Sequence, residues 1–161
     1  MRLALASQNL YRRPQMNLEC TDFQLLFDWL LKLAKQLLEK QGSFLPIGAI
    51  VLPEGKLGHV AAHPEGEQPG AHKALELLEG GLRIMAAKGK CRAAGMAIDT
   101  RLKAAPRKQD VGKDAIWIIL EQKSGDSQGV IVPYAKSLQG RFSYFSAFTQ
   151  PERPRIFLTV N

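Results

Sequence analysis

The stretch AIWIILEQKSGDSQGVIVPYA, Ala115 to Ala135, constrains the fold of this chain more than any other. Two apolar runs flank a polar turn, the pattern of a β-hairpin. In the first run Ile116, Ile118 and Leu120 project to one side by the two-residue period of a strand, and Trp117 and Ile119 project to the other. A strand that is apolar on both faces belongs in the middle of a sheet covered from above and below. The chain therefore needs at least two elements able to clad a sheet.

Two helices answer that need. TDFQLLFDWLLKLAKQLLEKQG reads as a helix from about Asp22 to Lys40, with Thr21 or Asp22 as N-cap and Gly42 just past its end. Its apolar arc of Phe23, Leu26, Phe27, Leu30, Leu33, Ala34, Leu37 and Leu38 is widened by Leu25, Trp29 and Leu31. This is broader than one core requires, so the helix is expected to touch a second surface, in a partner subunit. The second helix runs from about Ala71 to Lys88 and ends at Gly89, with Gly80 and Gly81 in its interior. Glycine there costs about 1 kcal/mol relative to alanine, and a close approach to a neighbouring backbone is the expected reason.

Between the helices, IGAIVLPEGKLGHVAAH is a hairpin closed by Pro53, Glu54 and Gly55. CRAAGMAIDTRL follows the second helix as a strand, with Ala94, Met96, Ile98 and Thr100 on one face and Cys91, Ala93, Gly95, Ala97 and Asp99 on the other. RFSYFSAF closes the sheet, with Phe142, Tyr144 and Phe148 on one face, and Pro151 and Pro154 argue against a terminal helix. The reading is an α+β fold, one five-stranded, mainly antiparallel sheet with two main helices in the order α-β-β-α-β-β-β. Residues 1–16 are expected to be a disordered extension, with Met1 or Met16 as the start, residues 17–150 the single domain, and residues 151–161 a tail or short strand.

Charge narrows the function. The chain has 22 basic and 15 acidic residues, a net +7, but the surplus is local. It lies in Arg2, Arg12 and Arg13, in the five basic residues from Arg101 to Lys113, and in the four from Lys136 to Arg155, which leaves the framework slightly acidic. No aromatic RNA-binding motif, zinc finger or helix-turn-helix accompanies it, so nucleic acid is a possible partner only through phosphate contacts at Arg101, Lys103, Arg107 and Lys108 in the basic loop 101–113. No run of about 20 apolar residues exists to span a membrane. The apolar part of MRLALASQNLYRRPQ is too short for a signal peptide. Cys20 and Cys91 form neither a disulfide framework nor a zinc cluster, and read as reduced thiols in a cytoplasmic protein.

All three histidines fall in GHVAAHPEGEQPGAH. His59 and His63 share a strand face but are four residues, nearly 14 Å, apart at about 3.4 Å per residue, and His72 opens the next helix. No shared metal site is expected, because zinc wants three or four ligands at about 2 Å. Asp99, a carboxylate in an apolar strand, is expected to pair with Arg101 or Arg92 or to sit at the strand end. GDSQG resembles the GDSGG around the nucleophile of trypsin-like serine proteases, but the histidine motif of that family is missing. The five residues read as a hairpin tip. No Walker loop, dinucleotide fingerprint, GxSxG or HExxH is present, and no catalytic residue, metal or cofactor is assigned.

The helix from Phe23, GAIVLPEGKLGHVAA, the second helix from Ala71 and AAGMAI follow one another in an order that resembles the roadblock, longin and profilin-like group, over about Asp22 to Ala147. The same stretches look like small uncharacterised bacterial proteins. The resemblance implies a five-stranded sheet flanked by helices and a scaffold role, although the third helix expected near the end of a roadblock module has no counterpart. The function expected from the sequence is a non-catalytic binding or regulatory module acting through protein–protein contacts, as a homodimer. The rival is a small-ligand receptor or enzyme with a groove at Asp99, Trp117 and Gly95.

Overall fold

The computed structural model describes residues 21–61, 70–102 and 114–158. Helix α1 (Thr21–Gln41) is followed by β1 (Ile47–Val51), β2 (Leu57–Ala61), α2 (Ala71–Ala87), β3 (Ala93–Arg101), β4 (Asp114–Gln122), β5 (Ser127–Lys136), β6 (Phe142–Tyr144) and β7 (Phe148–Pro151). The expected order holds through β5. The sheet is antiparallel throughout, with strand order β2-β1-β3-β4-β5-β6 and β7 also paired to β5. It holds seven strands among the described residues, not the five expected from the sequence.

RFSYFSAF, expected as a single strand, forms both β6 and β7, and one surplus residue explains the break. Tyr134 pairs with Tyr144, and Ile131 pairs with Phe148. Val132 and Pro133 therefore face three residues, Phe145, Ser146 and Ala147, and the surplus residue makes a β-bulge. The bulge also changes a face. Tyr144 packs with Tyr134 on the α1 side, whereas Phe148 pairs with Ile131, whose neighbours Val130 and Val132 take the α1 side. Phe148 thus lies opposite Tyr144, and the uninterrupted alternation read from the sequence fails there.

Each face of the sheet has its own core. On one, Leu26, Phe27, Leu30, Ala34 and Leu38 of α1 meet Ala49, Val51, Ala93, Ala97, Ile116, Ile118 and Leu120. On the other, Leu78 and Leu82 of α2 meet Ile50, Ala94, Met96 and Ile119. Full burial of a leucine or phenylalanine contributes about 1.5–3 kcal/mol, so the fully buried Leu26, Phe27, Leu30 and Leu38 make α1 a principal support. Close approach requires glycine at position 95. A Cβ there would meet Leu30 Cδ1 at 2.9 Å, Leu120 Cδ2 at 3.1 Å and the Ile119 carbonyl at 3.2 Å. Gly80 and Gly81 have open space instead, so close packing does not account for them.

The turns fall where the sequence puts them, but Thr21 and Asp22, expected as the N-cap, are the first two residues of α1 itself. Gly42 N–H donates to the Leu38 carbonyl at 2.8 Å and ends α1. Gly55, at φ +95°, closes the first hairpin with its N–H on the Leu52 carbonyl at 2.8 Å. Past β7 the chain forms no helix among the described residues but docks on the α2 face, burying Ile156. The expected N-terminal extension lies outside the described residues.

Candidate binding groove

The two shoulders of α1 differ. Toward β6, Lys35 Nζ stands 4.4 Å from the centre of the Tyr144 ring, and the Tyr144 hydroxyl donates to Glu39 at 3.3 Å. Toward β2, Trp29, Leu33 and Leu37 recur every fourth residue and are only partly buried, with Leu25 41% exposed beyond them. The excess breadth of this helix is therefore a row lying over the β2 side of the sheet.

Beside that row is a groove of about 640 Å³. Leu33 and Leu37 form one wall, Phe44 and Pro46 of the α1–β1 connection close it over, Ile47 lies in its floor, and Asp99 and His59 contribute its polar ends. His59 is exposed and packs on Trp29, ring centres 5.2 Å apart. His59 and Asp99 do not form a pair. Both register through Ala49 and Gly95, which puts them two strands and four residues apart, about 17 Å between Cα atoms.

Asp99 is half-buried at the end of β3. Its Oδ1 accepts the Tyr134 hydroxyl at 2.6 Å and its Oδ2 accepts the Phe44 N–H at 3.4 Å. Removal from water holds its carboxyl above the ordinary carboxylate range; the two hydrogen bonds oppose this and the charge of Asp114 adds to it. Burial, then the bond to Asp99, pushes the Tyr134 phenol well above its usual value. The expected partners of Asp99 are elsewhere. Arg92 makes a two-pronged contact with Asp22 at 2.9 and 3.0 Å, tying the start of α1 to β3, and Arg101 is exposed at the end of β3 with no ion pair to Asp99 among the described residues.

The trio Asp99, Trp117 and Gly95 is not brought together. Gly95 lies beneath Leu30. Trp117 packs with the α2-side core, on the opposite face of the sheet from Asp99. The Arg155 guanidinium covers Trp117 at 5.1 Å. Of the basic-loop residues, Arg101 is described; Lys103, Arg107 and Lys108 lie outside the described residues. So does His63, while His72 pairs with Glu76 at 3.1 Å on exposed α2. Among the described residues no three of His, Cys, Asp and Glu converge, and no helix is long and apolar enough to cross a membrane.

Glu121, Tyr134 and Phe44 escaped the sequence reading. Glu121 is 1% exposed, and its carboxylate accepts the backbone N–H groups of Arg155, Ile156 and Phe157 at 2.8, 2.9 and 3.2 Å. It anchors the terminal segment, and Arg155 adds a contact to Glu79 at 3.1 Å. The signal was present: alternation puts Glu121 on the face of Trp117 and Ile119, where an acid has to find donors.

The two edges of the sheet also differ. The β6/β7 edge is short, bulged and ends in Pro151, the usual devices against strand addition. The outer edge of β2 pairs with no strand among the described residues, and Leu57–Ala61 holds no proline, lysine, aspartate or glutamate. Leu52 N–H donates to the Lys56 carbonyl at 2.8 Å. Antiparallel alternation then aims Gly58 and Val60 at β1, and the N–H and C=O groups of Leu57, His59 and Ala61 outward. Comparison of the chain with protein families, curated proteins and solved structures finds no match.

Proposed function

We propose that this chain is a non-catalytic interaction module acting through protein–protein contacts, and that it works as a homodimer joined at the outer edge of β2. The observation that carries the reading is the contrast between a blunted edge at β6/β7 and an undefended one at β2. The edge is self-complementary. About a twofold axis at His59, His59 faces its own copy and Leu57 faces Ala61, so all three outward residues exchange hydrogen bonds. No charged side chain lies in Leu57–Ala61 or in the row Leu25, Trp29, Leu33 and Leu37, so like meets like without repulsion despite the net +7. The resemblance of element order to roadblock, longin and profilin-like proteins points the same way.

Light scattering on the eluting full-length chain tests this. The expected mass is that of two chains rather than the 17.8 kDa of one, and His59→Lys, a change at an exposed position, is expected to give the single-chain mass with unchanged circular dichroism. Register is read separately in a Cys20→Ser, Cys91→Ala background. His59→Cys is expected to cross-link on mild oxidation, since facing Cα atoms about 5.5 Å apart are within disulfide reach. Leu57→Cys is expected not to, its copies being about 14 Å apart. A monomer at 100 micromolar, or a dimer indifferent to His59→Lys, overturns the proposal.

A further inference from the structure

We infer that the groove between α1 and the first hairpin is a binding site for a hydrophobic cation: a small molecule with an apolar body and one protonated amine, whose ammonium group sits at Asp99. This goes beyond the reading of β2 as a dimer edge and stands on different observations. The cavity of about 640 Å³ falls in the size range of small-ligand sites, roughly 300–1,000 Å³, which are mostly apolar with a few placed polar groups.

Charge selects the ligand class. Leu33, Leu37, Phe44, Pro46 and Ile47 offer apolar contact, Gln41 and Ser43 are polar but neutral, and Asp99 is the one acidic group among the described lining residues, with His59 toward the other end. Among the described residues Asp99 has two hydrogen-bond donors and no cation, and the charge that acts on it is the repulsive one of Asp114. Arg101 and Lys136 line the adjoining pocket with Asp99 and Asp114 but make no ion pair to Asp99 among the described residues, so a carboxylate withdrawn from water still gains from an arriving ammonium and is disfavoured by an arriving carboxylate. Tyr134 and the Phe44 N–H hold Asp99 in position, so an arriving amine meets a fixed acceptor. A cation beside Asp99 favours its charged form and so opposes the effect of burial, and binding and ionisation reinforce one another.

The test uses three eight-carbon probes that differ only in their head group: octylamine hydrochloride, octanol and sodium octanoate, each titrated into the full chain at pH 7.5 and followed by amide chemical shifts. Octylamine is expected to move the signals of Phe44, Ile47 and Asp99 and to bind at least about tenfold more tightly than octanol, with octanoate weakest. Asp99→Asn can accept the Phe44 N–H with its oxygen and donate its amide N–H to the Tyr134 oxygen, and is expected to bring octylamine down to the octanol value. Leu33→Lys, which puts an ammonium on the groove wall at a partly exposed position, is expected to weaken octylamine and leave Asp99 in place. Equal binding of octylamine and octanol, an amine affinity untouched by Asp99→Asn, or no binding of octylamine overturns the inference. None of these results bears on the mass of the particle, so failure here and failure of the dimer reading are told apart.

Discussion

The two faces of the sheet are covered in different ways. On one, a single long helix lays Leu26, Phe27, Leu30, Ala34 and Leu38 over the middle strands, and the cover is apolar and continuous. On the other, α2 covers part of the surface, and the remainder is closed by a terminal segment without regular structure. A helix satisfies its own backbone; an irregular segment does not, and its N–H groups need acceptors. The buried Glu121 supplies them, three from one carboxylate. Where regular structure runs out, a fixed anion replaces it.

That difference is broken most forcefully at Glu121. Glu121→Ala orphans three backbone donors and is expected to cost about 3 kcal/mol or more in chemical denaturation, with the Arg155–Ile156 bond opening to trypsin. Glu121→Gln keeps part of the acceptor set and is expected to lose about half as much. On the α1 face the sensitive point is steric. Gly95→Ala forces Leu30 and Leu120 to shift and is expected to cost about 1–3 kcal/mol, with no change in tail proteolysis. Gly80→Ala and Gly81→Ala on α2, where a methyl meets open space, are expected to stabilise by up to about 1 kcal/mol each. A loss at either position would mean that α2 lies closer to a neighbour than the structure has it.

The smallest effect concerns Asp99. Its carboxyl is held above the ordinary range in the folded chain, so between the unfolded and folded values the native state binds more protons, and stability falls as pH rises through that window. Asp99→Asn is expected to melt about 1–3 °C above the parent at pH 7. The difference is expected to vanish below the usual carboxylate range, where both side chains are neutral. A lower melting temperature at pH 7 would mean that ionised Asp99 supports the fold.

Much of the framework was legible because burial and periodicity reinforce each other. The faces of β4, the turn at Gly55 and the ends of both helices follow from local residue types with little dependence on distant contacts. The bulge between Tyr144 and Phe148 was not legible, because it depends on the register β5 imposes: strict alternation read through Phe145, Ser146 and Ala147 puts Phe148 on the wrong face. The groove was half-legible. Asp99 stood out as an acid in an apolar strand, but its partner Tyr134 is 35 residues away and reaches it across β4. Trp117 is expected from the sequence in the same groove, although alternation puts the two on opposite faces. The broad apolar arc of α1 was visible, and its direction, toward β2, needed the sheet order.

Amide hydrogen exchange along β2 tests the open edge most directly, because alternate residues act as internal controls. Gly58 and Val60 bond to β1 and are expected to be protected at every concentration. Leu57, His59 and Ala61 point outward, and their protection is expected to rise with protein concentration as the edge finds its copy. Exchange at these three positions that stays fast from micromolar to millimolar concentration would contradict the account.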